Sequence, residues 1–250
     1  MVSRYSLLAF FAVIALTACT SSQSDRPRQP GRAHYLLGSS ALAENNPTEA
    51  LKEFLLAEKE APNDAEIQAS LAQAYMQKKA FDLAEKHFLK AIDLSDGSPH
   101  YQNNLGALYL TMERYDDAIK SFRMAAENLL FATPETAWTG VGLAYFKKQD
   151  YAAAEQNYLK ALDFNPRFAR AHFRLGELYY EQGRSVEAFN AFSRSVELAP
   201  RSADAQYGLG LAAMKLKDNN RARLAFQETI KLAPDSEQAR LAKNQLKILK

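Results

Sequence analysis

Apolar and small residues return at fixed places along most of this chain. From Gly31 onward the pattern repeats every 34 residues, with alanine at the twentieth place of each unit and an aromatic residue at the twenty-fourth. A period of this length predicts a pair of antiparallel helices, A and B, copied along the chain. Proline closes four of the units and is expected to end helix B, because it lacks the backbone donor that a helix needs. The units span residues 31–64, 65–98, 99–132, 135–168, 169–202 and 203–236.

The eighth place of each unit carries a small residue inside helix A. Glycine in a helix interior costs ~1 kcal/mol relative to alanine, so its recurrence requires a packing reason. Together with the alanine at the twentieth place, it lets the two helices of one hairpin approach closely. Because no hairpin buries its apolar face alone, the six hairpins are expected to stack on one another. The eighth-place residues are Gly38, Ala72, Gly106, Gly142, Gly176 and Gly210.

These places resemble the tetratricopeptide repeat (TPR), and the resemblance covers residues 31–236. It implies an all-α fold in which six hairpins form a right-handed superhelical solenoid. Residues 237–250 continue with apolar residues three and four apart, which is the spacing of one helix face. This segment is therefore predicted to be a helix that caps the sixth repeat. Its apolar face consists of Ala239, Ala242, Leu246 and Leu249.

The junction between the third and fourth units is irregular. Leu130 stands where four other units carry proline, and Thr133 and Pro134 are extra residues. One interpretation is that helix B of the third unit is extended and that the segment 127–134 bends the superhelix or presents a surface. A tolerated loop insertion is the alternative, and both stay open at this point.

The first eighteen residues differ from the repeats. Arg4 precedes an unbroken apolar run from Leu7 to Leu16, which covers only roughly half of a ~30 Å hydrocarbon core and suits a secretory signal better than a spanning helix. The run ends at residues 16–19, Leu-Thr-Ala-Cys, which resemble the lipobox of bacterial lipoproteins. The resemblance implies that residues 1–18 are removed and that Cys19 carries a lipid. A plain signal peptide, or a core helix with an incidental cysteine, is the alternative.

The stretch after the cysteine predicts a flexible tether. Residues 20–32 contain Ser, Pro, Gly and Arg and no apolar residue, so residues 19–30 are expected to link the lipid to the first repeat. Three acyl chains on the new N-terminus would hold the protein firmly on a membrane. Thr20, rather than aspartate, follows Cys19; by resemblance to the enterobacterial sorting rule, this implies the outer membrane and a domain that faces the periplasm.

Composition excludes several classes of function. Thirty-one Lys and Arg residues against twenty-nine Asp and Glu give a net charge of only +2, which argues against a nucleic-acid partner. A single cysteine excludes an internal disulfide, and the four scattered histidines show no metal-binding spacing. No complete phosphate-binding loop or nucleophile motif is present. We therefore expect no enzyme activity, no metal or cofactor, and no small-molecule substrate.

A protein-binding groove is what this repeat family offers instead. The second, fifth, ninth and twelfth places of each unit face the concave surface in the family, and here the twelfth is apolar in every unit. An exposed apolar stripe of this kind suits an apolar peptide or helix. Packing of the twelfth place against the next hairpin is the alternative. The predicted groove residues are Tyr35, Leu42, Met76, Asn103, Leu110, Phe146, Phe173, Tyr180, Tyr207 and Met214.

The groove also excludes one class of partner. Family members that hold the C-terminal carboxylate of chaperones use a lysine and asparagine clamp at the fifth, sixth and ninth places. The first unit has Tyr35, Leu36 and Ser39 there, so a carboxylate clamp is not expected.

Lipobox, tether, six repeats and cap together resemble the type IV pilus biogenesis and stability lipoproteins, the secretin pilotins. The junction at residues 129–134 and the following residues 139–143 are also similar to that family. The resemblance implies a protein that binds the secretin subunit and helps it reach and multimerise in the outer membrane. The runner-up is a periplasm-facing adaptor lipoprotein of the same repeat type that docks peptidoglycan hydrolases or proteases.

Overall fold

The structure, a computed structural model, describes residues 29–249, and it confirms the all-α repeat fold. The signal peptide, Cys19 and most of the tether lie outside the described residues. Within residues 29–249 the chain forms thirteen helices and no strand. The helices are α1 Arg32–Ala43, α2 Pro47–Glu60, α3 Ala65–Gln77, α4 Phe81–Leu94, α5 Pro99–Thr111, α6 Tyr115–Ala126, α7 Pro134–Lys147, α8 Tyr151–Phe164, α9 Ala169–Glu181, α10 Ser185–Leu198, α11 Ala203–Lys215, α12 Asn219–Leu232 and α13 Glu237–Ile248. Each odd-numbered helix from α1 to α11 is the A helix of one hairpin, and the even-numbered helix after it is the B helix.

Local chemistry fixes where many of these helices begin. The side chain of Asp64 accepts hydrogen bonds from the backbone N–H groups of Glu66 and Ile67 and so caps α3. Asp150 and Asp218 cap α8 and α12 in the same way. Each cap satisfies donors that the helix itself leaves open, and a cap of this type is worth about 1 kcal/mol.

The turn from helix A to helix B has the same backbone form in every hairpin. The residue at the fifteenth place of each unit lies in the left-handed region, with φ between 58° and 73° in all six copies. In the second hairpin Lys79 N–H donates to the Met76 carbonyl and Ala80 N–H donates to the Tyr75 carbonyl, which is the Schellman arrangement. Glycine suits this conformation best, yet only one of the six turns has it. The six residues are Asn45, Lys79, Glu113, Gln149, Gly183 and Lys217.

The core sits between hairpins and is built on close approaches of helix backbone to aromatic rings. A Cβ atom at Gly106 would lie 2.8 Å from the ring of Phe122, in the same hairpin. The other side of that ring meets the next hairpin, where a Cβ at Gly140 would lie 2.7 Å away. Phe192 is held between Gly176 and Gly208 in the same manner. In these two hairpins the aromatic residue of the twenty-fourth place therefore joins two successive A helices.

The junction between the third and fourth hairpins differs from the prediction of an extended helix. Helix α6 ends at Ala126 and is shorter than α4, so the extension predicted for it is wrong. The Asn128 side chain ends the turn by accepting a hydrogen bond from Leu130 N–H, 2.9 Å away. Phe131 is buried, with its ring edge-on to His100, while Leu129 and Leu130 are 100% and 88% exposed. A local side-chain to backbone bond thus replaces the last helical turn here.

Helix α13 covers the open end of the sixth hairpin. Ala239, Ala242 and Leu249 are buried against α11 and α12, and Leu246 packs beside them. The Arg223 guanidinium donates to the Leu249 carbonyl, which satisfies one of the acceptors left at the end of the helix.

Candidate protein-binding groove

Two concavities lie along the A helices. The first, the N-terminal pocket, encloses about 650 Å³ between α1, α3 and the start of α5. The second, the C-terminal pocket, encloses about 470 Å³ between α7, α9, α11 and α13. Both are lined mainly by the second, fifth, ninth and twelfth places of their units, together with neighbouring thirteenth-place residues.

The N-terminal pocket is lined mainly by neutral polar groups. Tyr35 Oη donates to Glu66 Oε1 over 2.6 Å, and Arg32 Nη1 lies 3.1 Å from Glu66 Oε2. Burial is the main reason that the pKa of Tyr35 is raised, and its bond to Glu66 adds to the effect. The carboxylate of this pocket is thus already paired. The remaining polar lining consists of Ser39, Ser70, Gln73, Gln77, Ser98, His100 and Tyr101.

The C-terminal pocket is lined mainly by rings and aliphatic side chains. Two of its aromatic residues pack against other aromatic rings. The ring centres of Phe173 and Phe192 are 5.8 Å apart, and those of Tyr207 and Phe226 are 5.7 Å apart. Packed rings of this kind offer a preformed apolar surface at a small cost in side-chain entropy. The apolar lining consists of Phe146, Phe173, Tyr180, Phe192, Tyr207, Leu211 and Leu241.

Four charged residues also line the C-terminal pocket. Arg174 Nη1 lies 2.6 Å from Glu177 Oε2, and these two groups form an ion pair within α9. Burial raises the pKa of the Glu177 carboxyl, and Arg174 opposes that rise. The Nε atom of Arg174 is buried and has no hydrogen-bond partner among the described residues. Glu181 and Asp204 are exposed at the rim and form no ion pair within residues 29–249.

The structure brings most of the predicted groove residues to one of the two pockets. Tyr35 and Leu42 line the N-terminal pocket. The C-terminal pocket has Phe146, Phe173, Tyr180 and Tyr207, and Met214 lines a smaller depression of about 260 Å³ beside it.

Three predicted groove residues line neither of the two pockets nor the smaller depression. Met76 and Leu110 pack against the central core cluster, between the two concavities. Asn103 is half-buried, and its Oδ1 is a buried acceptor with no partner among the described residues.

The stripe of twelfth-place residues is not an exposed band. All six of these side chains are half-buried, and each packs against one of the core clusters. Phe146, for example, lies 5.6 Å from Tyr151, ring centre to ring centre. The structure therefore favours the alternative interpretation in part: every twelfth-place residue packs on the core, and four of the six also line a cavity.

The charged lining was the part that sequence reasoning missed. Glu66 and Asp204 occupy the second place, Glu177 the ninth, and Glu181 the thirteenth. The second and ninth places are expected to face the groove in this repeat family, so the carboxylates at those places could have been predicted to line it. The thirteenth place lies beyond the last place expected to face the groove, so Glu181 could not have been predicted in this way.

Other chemistry is sparse within residues 29–249. No three His, Cys, Asp or Glu side chains come together as metal ligands in this range. No helix of the described residues is long and apolar enough to cross a bilayer. Trp138 is buried with Lys160 Nζ 3.4 Å from its ring centre, and His172 Nε2 lies 3.0 Å from the Pro166 carbonyl, so both residues have packing partners.

Models of the tetratricopeptide repeat match nearly every part of the repeat region. The matches cover residues 25–65 and 35–99, 99–127, 142–183, 169–202 and 204–236. They leave out residues 128–141, which contain the irregular junction.

Two type IV pilus factors are similar to the chain. The type IV pilus assembly protein PilF of Pseudomonas aeruginosa is 23% identical over 188 residues, which is 72% of this chain and 75% of that protein. Its solved structure superposes with a TM-score of 0.70 at 20% identity, over 86% of this chain and 97% of that one. The crystal structure of PilW, a widely conserved type IV pilus biogenesis factor, gives a TM-score of 0.73 at 20% identity, over 84% of this chain and 97% of that one. At these identities the structural likeness shows the fold.

Proposed function

Because the chain is a tetratricopeptide repeat protein related to type IV pilus assembly proteins, we propose that it is an outer-membrane pilotin for a type IV pilus secretin. In this role its repeat domain binds the secretin subunit and promotes the subunit's localisation and multimerisation in the outer membrane. It acts as a scaffold and not as an enzyme.

The extent of the similarity to PilF carries this proposal. It runs over 188 residues and spans 75% of that protein, whereas two other repeat proteins match over 131 and 98 residues and only 26% and 17% of their lengths. The fold similarity to PilW, which reaches 97% of that chain, supports it. Two concave pockets on one face supply the binding surface that such a scaffold needs.

The sequence at residues 7–19 supports the membrane part of the proposal. A lipid on Cys19 would keep the repeat domain at the periplasmic side of the outer membrane, with residues 19–30 as the tether. In Cys19→Ser the protein should leave the outer-membrane fraction while its repeat domain stays folded. Unchanged sedimentation with outer membranes after a carbonate wash would contradict lipid anchoring.

Deletion of the gene distinguishes the pilotin function from the adaptor function. In a deletion strain the heat-resistant secretin multimers seen on denaturing gels should disappear, and the wild-type gene should restore them. Intact multimers together with altered cell shape or septation would reject the pilotin and favour the hydrolase or protease adaptor.

A further inference from the structure

We propose that the C-terminal pocket binds a partner segment in which a lysine or arginine lies next to an aliphatic or aromatic residue. The inference rests on the proposed function, because it names the chemistry of the protein segment that this scaffold would bind. It joins two observations: a preformed aromatic wall and carboxylates beside it that have no cation of their own.

The aromatic wall selects for an apolar side chain or the face of a cation. Phe146, Phe173, Tyr180 and Tyr207 come from three successive A helices and converge on one cavity. Packing against Tyr151, Phe192 and Phe226 fixes three of these rings. Aromatic faces attract both aliphatic groups and the guanidinium or ammonium of a side chain.

The carboxylates at the rim select for positive charge. The lining contains three carboxylates against the single cation Arg174, and Arg174 is already paired with Glu177. A neutral occupant would remove water from Glu181 and Asp204 without replacing its hydrogen bonds, and an acidic occupant would be repelled. A lysine or arginine supplies the missing partner.

Two lysines flank this pocket without lining it. The charge of Lys147, at the end of α7, lowers the pKa of the Glu177 carboxyl and so opposes the effect of burial. Lys215 Nζ lies 5.9 Å from the centre of the Tyr180 ring, on the side of the smaller depression. Both are exposed, and neither forms an ion pair with Glu181 or Asp204. They limit the acidic region to the part of the concave face between α9 and α11.

The N-terminal pocket provides an internal contrast. Its carboxylate, Glu66, is already bonded to Arg32 and Tyr35, and its other polar groups are amides, hydroxyls and an imidazole. That pocket therefore has no unpaired acidic group to offer a cation, and selection for positive charge is expected from the C-terminal pocket alone.

A random library of hexapeptides, capped at both ends, tests this inference on the full chain. Peptides retained by the wild-type protein should be enriched about tenfold over the input in Lys or Arg beside Leu, Phe or Tyr, in low salt. The enrichment should fall as salt rises. It should be lost in the double variant E181Q/D204N, which removes two exposed charges with almost no change in shape, and kept in the N-terminal pocket variant E66Q. No retained peptides, enrichment of acidic residues, or equal enrichment by E181Q/D204N would overturn the proposal.

Complementation distinguishes this inference from the proposed function. If deletion abolishes the secretin multimers and E181Q/D204N fails to restore them while E66Q does, both proposals are supported. If E181Q/D204N restores them fully, the pocket is not the docking place and the inference fails, although the pilotin role stands. If deletion leaves the multimers intact, the pilotin role fails, and the library result still decides the chemistry of the pocket. Equal melting temperatures of the three proteins exclude misfolding as the cause.

Discussion

The ring of Tyr158 occupies the space where a side chain at Gly142 would stand. A Cβ atom on Gly142 would be 2.5 Å from both Cδ1 and Cε1 of that ring, and Tyr158 is fully buried. The same pairing of glycine and ring occurs at Gly38 with Phe54 and at Gly210 with Phe226. Helix A of these hairpins is therefore seated directly on the aromatic side chain of helix B.

Gly142→Ala is expected to destabilise the protein by up to about 2 kcal/mol. Overpacking against a buried ring costs about 1–3 kcal/mol, and the better helix propensity of alanine returns about 1 kcal/mol of this. Urea unfolding monitored by circular dichroism measures the change in the free energy of unfolding. In a Tyr158→Leu background the same substitution should cost much less, because the ring is gone. An equal cost in both backgrounds would show that the ring is not the obstacle.

Lys217→Gly is expected to stabilise the protein by about 0.5–1 kcal/mol. Lys217 has φ of 61°, a left-handed conformation that is unfavourable for any residue with a Cβ atom, whereas Gly183 occupies the same place in the preceding hairpin. The greater chain entropy of unfolded glycine offsets part of the gain. Gly183→Ala should lower the melting temperature, and Lys120→Gly, at an exposed position in the middle of α6, should lower it too. A melting temperature of Lys217→Gly below that of the wild type would refute the argument.

Two hairpin interfaces carry the same hydrogen-bonded clamp. Tyr179 Oη donates to Glu155 Oε1 over 2.8 Å, and Arg184 Nη1 donates to Glu155 Oε2 over 3.0 Å, while the guanidinium carbon lies 4.2 Å from the Tyr179 ring centre. Seventy residues earlier, Tyr109, Glu85 and Arg114 form an equivalent arrangement. Each clamp ties the B helix of one hairpin to the C-terminal part of the next A helix and to the turn that follows it.

The clamps predict a loss of stability in strong alkali. Burial, together with the bond to a glutamate, raises the pKa of both Tyr109 and Tyr179 to about 12 from the ordinary 10.0. The folded state therefore favours the neutral phenol, so this contribution is complete below pH 10 and disappears as the pH rises through about 12. In the Tyr109→Phe/Tyr179→Phe double variant the free energy of unfolding should fall less steeply over this window. Tyr151→Phe, outside the clamps, serves as the control, and a wild-type slope in the double variant would count against the prediction.

A buried histidine predicts a loss of stability in mild acid. His87 Nδ1 lies 2.7 Å from Gln68 Oε1, and the Gln68 amide donates to Glu58 and to the Pro62 carbonyl, so Gln68 presents its oxygen and His87 its N–H. Burial lowers the pKa of His87, the charges of Lys86 and Lys90 lower it further, and Glu58 opposes them.

The sign of this effect follows from proton binding. The unfolded chain takes up the proton at a higher pH than the fold does, so acidification through about pH 6.5 and below favours the unfolded state. The decrease in the free energy of unfolding from pH 7 to pH 5 should be smaller in His87→Gln than in the wild type. A buried polar residue that does not titrate serves as the control: Asn157→Ala should leave the decrease unchanged. Identical pH dependence of the free energy of unfolding in the wild type and His87→Gln would show that His87 does not cause the loss of stability in acid.

Features that repeat with the period of the chain were predictable from the sequence. The eighth-place glycine, the twentieth-place alanine and the twenty-fourth-place aromatic residue each serve contacts inside one hairpin or between neighbours, so their spacing reveals them. The packing roles of Gly140 and Gly208 were not predictable from the repeat. Each glycine packs against the aromatic ring of the preceding hairpin, and a glycine occurs at that place in only some units.

Features that depend on several units together were not predictable. The C-terminal pocket combines side chains of three A helices and of the capping helix α13, and its charge depends on which carboxylates find partners across those helices. The end of α6 was also predicted wrongly. A single side chain, Asn128, supplies a competing hydrogen bond there, and a missing proline alone does not lengthen a helix.

The irregular segment 127–133 lies between the two pockets, and this gives it a geometric consequence. The N-terminal pocket belongs to the hairpins before it and the C-terminal pocket to the hairpins after it, so the distance from one pocket to the other depends on the angle at this joint. A ligand that contacts both pockets at once must therefore be long enough to cross this junction, and the length that it needs is set by the angle between the third and fourth hairpins.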